Sequence, residues 1–152
     1  LVLESTLPGI REEGERAQRL EAALRVAKEL GSIPLRVFLE RWYAQPMFGP
    51  IPDREALFDE RMCQVPSGLA AAMTWLSVGR QPDFSSALGS AWKKPLLCLA
   101  GSLDGKYLRG MEALTARVDG GRFHAAVGSG HNIHRHDPRT FAARLSDFLG
   151  GY

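Results

Sequence analysis

The sequence has few cysteines, no large excess of charge of either sign and no long apolar run, and each shortage excludes a class of protein. Cys63 and Cys98 are its only cysteines, and neither has the CxxC or Cys/His spacing of a zinc site. With 19 Lys and Arg against 17 Asp and Glu, it has no basic stripe for nucleic acid. No apolar run approaches the roughly 20 residues of a membrane-spanning helix. We therefore predict a cytoplasmic-type protein with two reduced, buried thiols and with neither nucleic acid nor a membrane as partner.

The sequence does contain three short apolar segments of the kind found in strands that are buried on both faces, which belong mostly to parallel sheets. They are residues 1–4, 96–100 and 122–127, and the last two lead into glycine-containing turns. The first segment begins the chain abruptly, without a polar lead-in. We therefore expect the chain to be part of a longer protein.

Between the first two of these strands, apolar residues recur with the period of amphipathic helices. In order, the predicted helices of the whole chain cover residues 11–30, 32–42, 53–62, 67–79, 108–118 and 137–149. Asp53, Ser67 and Asp137 are predicted to cap the third, fourth and last of them, because their side chains accept hydrogen bonds from backbone N–H groups of the first helical turn.

The resulting order is a strand, a block of helices, and then strand, helix, strand and helix, which predicts an α/β fold with three parallel strands. The predicted divisions are a core strand at 1–6, a helical block at 7–92 and the remainder of the core at 93–152. Open parallel sheets bind ligands beyond the carboxyl ends of their strands. Polar residues that follow residues 100 and 127 are therefore the first candidates for a site.

Asp104 and His131 follow the second and third predicted strands through short glycine-containing turns. If those strands are neighbours, the carboxylate and the imidazole can meet, and we predict a heavy-atom distance of about 2.6 to 3.2 Å. A carboxylate so placed holds a catalytic histidine in one tautomer and stabilises its protonated form. The alternative is that Asp104 caps the helix that starts near Tyr107 and that His131 is an ordinary loop residue.

Together, these residues and their turns resemble the C-terminal half of the α/β-hydrolase fold, in which an Asp follows the penultimate strand and a Gly-His pair follows the last. That fold carries its nucleophilic serine upstream of both, in a G-x-S-x-G turn. The sequence has no such motif, and Ser129 follows the last strand, so we interpret it as a turn residue. The resemblance therefore implies that the nucleophile belongs to an N-terminal half absent here, and that the helical block is an inserted lid.

Longer matches resemble one family more specifically, the MenH family of 2-succinyl-6-hydroxy-2,4-cyclohexadiene-1-carboxylate synthases in menaquinone biosynthesis. The matching segments are ESTLPG at 4–9, WYAQPMF at 42–48, LAAAM at 69–73, QPD at 81–83, GSLDGKY at 101–107 and GHNIHRHDP at 130–138. They extend along the whole chain. The first, second and fourth are more specific than the Asp and Gly-His signals, which occur throughout the superfamily.

The resemblance implies a lyase that eliminates pyruvate from a succinyl-enolpyruvyl-cyclohexene carboxylate, with Asp104 orienting His131 and His131 activating a serine outside this chain. By position, Arg19 and Arg61 correspond to lid arginines that bind substrate carboxylates, a task that suits the planar guanidinium group. Trp42 corresponds to a residue of the pocket wall. The resemblance implies no metal and no organic cofactor.

Alternatives stay open for individual residues and for the function. Arg19 lies among glutamates, as on a solvated helix face, and an aromatic such as Trp42 is often a core residue. A lidded esterase or carbon–carbon hydrolase uses the same triad, and a non-catalytic fragment or pseudoenzyme retains the motifs. The expected location is the cytoplasm, or a plastid if the chain is the tail of a plant-type fusion.

Overall fold

The computed structural model describes residues 1–89 and 92–151 and divides into two compact units. The sheet unit comprises Leu1–Leu7, Gln45–Pro52 and Ser85–Tyr152, and the helical unit comprises Pro8–Ala44 and Asp53–Phe84. The predicted divisions include residues 90, 91 and 152, which lie outside the described residues. No helix within the described ranges is long and apolar enough to cross a membrane.

The sheet unit contains the three predicted parallel strands, with bounds within one residue of those expected. They are β1 (Val2–Glu4), β2 (Leu97–Gly101) and β3 (Arg122–Ala126), in the order β1-β2-β3. In the register, Cys98 pairs with Leu3 on one side and Phe123 on the other. Since β2 lies between two strands, its carboxyl end adjoins the carboxyl end of β3, which carries the second candidate residue.

Three helices cover the sheet: α5 (Gly105–Thr115), α6 (Ile133–His136) and α7 (Pro138–Gly150). On one face of β2, Cys98 and Ala100 pack in a cluster with Met111 of α5. On the other face, Leu99 packs with Ile133 of α6 and with Phe148 of α7. Alternate residues of a strand point to opposite faces, so the uninterrupted apolar sequence of β2 reflects burial on both sides.

The helical unit consists of α1 (Glu13–Leu30), α2 (Leu35–Trp42), α3 (Arg54–Met62) and α4 (Pro66–Trp75). Asp53 caps α3 as predicted, because its carboxylate accepts a hydrogen bond from the Ala56 N–H at 3.3 Å. Ser67 is not a cap. It lies inside α4, whose first helical residue is Pro66, since proline lacks the N–H that a first-turn residue leaves unpaired.

Two further features of the fold differ from the predictions. The sheet unit, and not the helical block, contains Leu7 and residues 45–52, 85–89 and 92. Within the second of these segments, the Met47 carbonyl oxygen accepts a hydrogen bond from the His131 N–H. The prediction of two buried thiols is wrong for Cys63, which is exposed at the end of α3. That helix buries Leu57 and Phe58, and Cys63 lies about 140° around the axis from Phe58.

Cys98 is buried in β2 as predicted. Burial raises the pKa of the Cys98 thiol, and a hydrogen bond with Thr115 opposes this shift only in part. The thiol therefore stays protonated and packs as a small apolar group.

Candidate active site

Asp104 is a buried carboxylate just beyond the end of β2. Its residue is only 3% exposed, and its backbone N–H donates to the carbonyl oxygen of Gly101 at 3.1 Å, which turns the chain into α5. Asp104 occupies the N-cap position of α5, yet its side chain accepts no capping hydrogen bond there. The carboxylate is directed to His131 instead, so the helix-cap alternative does not account for the side chain.

His131 follows β3, and its Nδ1 atom lies 2.6 Å from Oδ2 of Asp104. A carboxylate can only accept a hydrogen bond, so Nδ1 carries the proton and its N–H donates a hydrogen bond to Asp104. This leaves Nε2 as the basic nitrogen. The His131 side chain is 25% exposed, whereas Asp104 beneath it is almost sealed from solvent. A carboxylate placed in this way can hold a histidine in one tautomer and stabilise its protonated form.

Residues 127–132, which join β3 to α6 and carry His131, are called the histidine loop below. Two glycines allow this loop and the end of β2 to approach each other closely. A Cβ atom on Gly101 would overlap the carbonyl oxygens of Gly130 and Ser129, and one on Gly130 would overlap the carbonyl oxygen of Phe48. The His131 N–H donates to the Met47 carbonyl oxygen at 2.8 Å. The loop therefore fits between β2 and the short 3₁₀ turn Pro46–Phe48.

Two aromatic rings contact the His131 imidazole. The ring of Tyr107 stands edge-on to it at a centroid distance of 4.8 Å, and the ring of Phe48 does so at 5.9 Å. Such edge-to-face contacts restrict the rotation of the imidazole about its side-chain bonds. Both aromatic residues lie in segments that match the family, but nothing in the sequence indicates that they contact His131.

A second histidine–carboxylate pair lies next to the loop. His134 Nδ1 lies 2.8 Å from Oε2 of Glu4, and the His134 backbone N–H donates to Oε1 of the same carboxylate at 3.1 Å. Glu4 thereby holds the start of α6 to the end of β1. His134 is exposed, so this is a surface pair that connects two segments of the sheet unit. Sequence reasoning missed Glu4, which is 130 positions away from its partner.

His124 and His136 are the other histidines of the sheet unit. Burial lowers the pKa of His124 within β3, and the nearby Arg144 adds to this effect. His136 accepts a hydrogen bond at Nδ1 from the Gly130 N–H, at 3.0 Å. Sequence reasoning missed this contact of His136 with the loop that carries His131.

In the helical unit, Arg61 and Trp42 line one cavity of about 210 Å³. Its walls are otherwise mainly apolar: Leu30, Phe38, Leu39, Leu69 and Met73 contribute, together with Tyr43 and Gln64. Trp42 stacks on Phe38 at a centroid distance of 5.8 Å, so it is both a packing residue and a wall residue. Arg61 is half-buried in the last turn of α3. A cation in an apolar recess of this kind suits a small carboxylate with an apolar body.

Arg19 does not line this cavity and is exposed on α1. The same helix carries Arg25 and Glu21 as an exposed ion pair one turn apart. Arg19 thus has the setting of the solvated-face alternative. No group of three or more His, Cys, Asp or Glu that could hold a metal ion occurs within residues 1–89 and 92–151.

No protein-family model matches the chain. The 2-succinyl-6-hydroxy-2,4-cyclohexadiene-1-carboxylate synthase of Enterobacter sp. (strain 638) is 31% identical over 151 residues, covering 98% of this chain and 56% of the relative. Its bacterial source gives no support to the plastid alternative.

Solved structures of MenH and of an esterase are also similar to the chain. MenH from S. aureus has a TM-score of 0.92 at 28% identity, over 99% of this chain and 58% of that protein. A thermophilic esterase from Thermogutta terrifontis, with malate bound, has a TM-score of 0.80 at 20% identity, over 99% of this chain and 55% of the esterase. The chain thus spans little more than half the length of the proteins it matches. It has the α/β-hydrolase fold and resembles, along nearly all of its length, the MenH family of 2-succinyl-6-hydroxy-2,4-cyclohexadiene-1-carboxylate synthases.

Proposed function

We propose that the chain is the part of a menaquinone-biosynthesis lyase that supplies the acid and the histidine of its catalytic triad. The hydrogen bond of 2.6 Å between His131 and Asp104 carries this proposal, in a chain that is similar to the synthases over 98% of its length. The serine and the oxyanion donors would come from an N-terminal half. We call this chain joined to such a half the completed enzyme.

In the proposed reaction, Nε2 of His131 takes the proton of the serine hydroxyl, and the serine oxygen removes a proton from the succinyl-enolpyruvyl-cyclohexene carboxylate. The carbon–oxygen bond to the enolpyruvyl group then breaks. The released enolate takes up the proton held on Nε2 of the His131 imidazolium and leaves as pyruvate. The ring gains a double bond, and the serine keeps the proton that it removed from the substrate. Asp104 keeps the His131 ring in the tautomer with a free Nε2 and stabilises the imidazolium that forms.

For Arg61 we propose a contact with a carboxylate of the substrate and for Trp42 a place in the pocket wall. Both residues line the same cavity of the helical unit, which supports these two roles. A guanidinium remains charged when it is partly desolvated and binds a carboxylate with two hydrogen bonds. Arg19 is proposed as a second carboxylate ligand on the resemblance alone.

An N-terminal half of the same protein is the proposed partner. Among the described strands, β1 pairs only with β2, so its other edge presents unpaired backbone N–H and C=O groups. An open edge of this kind is a template for a further strand. A reducing cytoplasm is the proposed location, because Cys63 and Cys98 are free thiols.

The test is a coupled assay of pyruvate release from the succinyl-enolpyruvyl-cyclohexene carboxylate. It compares the 152-residue chain, the segment encoded upstream of it, and the two together. We expect the chain alone to be inactive and to self-associate in sedimentation, because its apolar strand edge is uncovered. Joined to the upstream segment, it should release pyruvate.

Each other outcome contradicts a defined part of the proposal. Ester cleavage without pyruvate would identify a hydrolase. A folded complex with no activity would identify a non-catalytic protein, as would the lack of any encoded serine turn upstream. Activity of the isolated chain would show that the nucleophile lies within it. The variant His131→Ala of the completed enzyme is the control, and it should lose pyruvate release while still folding.

A further inference from the structure

The histidine loop is held at its backbone as well as at its imidazole. The His131 N–H donates to the Met47 carbonyl oxygen at 2.8 Å, and the preceding N–H, of Gly130, donates to Nδ1 of His136 at 3.0 Å. These two consecutive N–H groups have their partners in different segments. One partner is a backbone carbonyl, which is always an acceptor, whereas the other is an imidazole nitrogen, which accepts only when it carries no proton.

We propose that His136 is a positioning residue, whose neutral imidazole fixes the backbone at Gly130 and thereby aims the His131 ring at Asp104. This inference rests on the proposed function, in which His131 is the base. His136 acts through His131 and needs no contact with the substrate. Nothing in its sequence position indicates this role, since it is one of several polar residues in the segment 130–138.

The surroundings of His136 favour the neutral form that this role requires. Its Nε2 atom is buried, so a second proton on the ring would place a positive charge away from water. Burial lowers the pKa of the His136 imidazole and outweighs the opposing effect of the backbone at Gly128 and Phe48. A proton on Nδ1 would also face the Gly130 N–H, donor against donor.

The loop has little freedom to compensate if this hydrogen bond is lost. Gly130 touches the Pro46–Phe48 turn so closely that a Cβ atom would overlap the Phe48 carbonyl oxygen. A shift of the Gly130 backbone also moves the next peptide group, which joins Gly130 to His131. The contact between His131 and Asp104, 2.6 Å long, depends on that position because hydrogen bonds weaken steeply with misalignment.

Two substitutions separate the acceptor from the bulk of the side chain. In His136→Asn, the amide oxygen lies near the position of Nδ1 and can accept the Gly130 N–H. In His136→Leu, an apolar side chain of similar size replaces the imidazole and offers no acceptor. His124→Leu, which alters a partly buried histidine of β3, is the matched control.

The measurement is NMR on the completed enzyme with the 152-residue chain ¹⁵N-labelled, because this chain contains all the groups concerned. The readouts are the exchange rate of the Gly130 amide, relative to the Leu99 amide in β2, and the signal of the His131 Nδ1–H proton. In His136→Leu, we expect Gly130 exchange to be roughly 2- to 12-fold faster, as for the loss of one hydrogen bond. The His131 Nδ1–H signal should broaden or disappear. His136→Asn and His124→Leu should retain both features within about twofold.

The proposal is wrong if His136→Leu leaves both readouts unchanged, or if His136→Asn loses them together with His136→Leu. Pyruvate release by the completed enzyme is a separate measurement. In that assay, His136→Leu should lower kcat with little change in KM, whereas His136→Asn should have a kcat close to that of the wild type. If the wild-type completed enzyme releases no pyruvate, the proposed function fails while the NMR result still decides whether His136 positions His131.

Discussion

Replacing Asp104 by Asn tests the acid–histidine pair most directly. Asn has nearly the same size and can still accept the Nδ1–H hydrogen bond from His131, but it carries no negative charge. Asp104 is only 3% exposed, so water does little to screen its charge from the imidazole. The substitution therefore removes the charge and leaves the packing largely as it is.

The structure allows the effects on folding and on turnover to be separated. A hydrogen bond to a charged group contributes about 1.5 to 3 kcal/mol to stability and a neutral one about 0.5 to 1.5 kcal/mol. Since Asn retains a neutral hydrogen bond, we expect the free energy of unfolding to fall by only about 1 to 1.5 kcal/mol. Turnover should fall far more, by about 10⁴-fold or roughly 5.5 kcal/mol, because the imidazolium formed in the reaction loses its counter-ion.

The assay is pyruvate release by the completed enzyme at saturating substrate, with urea unfolding measured on the same preparations. Asp119→Asn is the control, because the Asp119 side chain is 91% exposed and lies opposite Lys93 at the surface. This control should change neither quantity appreciably. A loss of turnover below about tenfold in folded Asp104→Asn would refute the role of Asp104 as the orienting acid.

Three further predictions concern substrate binding, backbone packing and pH. In the completed enzyme, Arg61→Ala should lower kcat/KM about 10- to 150-fold, because a charge-assisted contact with the substrate is lost. Arg19→Ala should act in the same direction. Unchanged kinetics in both variants would contradict carboxylate binding by the lid. In urea unfolding, Gly130→Ala should cost about 1 to 3 kcal/mol by overpacking, whereas Gly68→Ala, exposed in α4 with open space around it, should stabilise by about 0.5 to 1 kcal/mol. The lowered pKa of His136 makes the folded state bind fewer protons than the unfolded state, so the free energy of unfolding should fall as the pH drops through about 6.5. This fall, measured between about pH 8 and about pH 5, should be smaller in His136→Asn, and an equal fall would contradict the assignment.

The strands and the longer helices of the fold, and their order along the chain, could be read from the amino-acid sequence. An uninterrupted apolar segment predicted β2 within one residue, because a strand covered on both faces needs apolar side chains at every position. β3 was also predicted within one residue, although its sequence contains Arg122 and His124. Asp53 and Asp137 were recognisable as helix caps, since a cap acts on N–H groups only three residues further along. Asp104 and His131 could be paired because adjacent parallel strands bring their carboxyl ends to the same edge.

Which distant groups meet around Asp104 and His131 became evident from the three-dimensional path of the chain. The contact of Met47 with His131 and that of Glu4 with His134 join segments far apart in the chain, and no local pattern encodes such a meeting. The exposure of Cys63 likewise depends on which face of α3 is covered. The covered face contains Leu57 and Phe58, and Cys63 is exposed. Periodicity and capping arise between neighbours in sequence, whereas burial and long-range hydrogen bonds arise from the path of the whole chain.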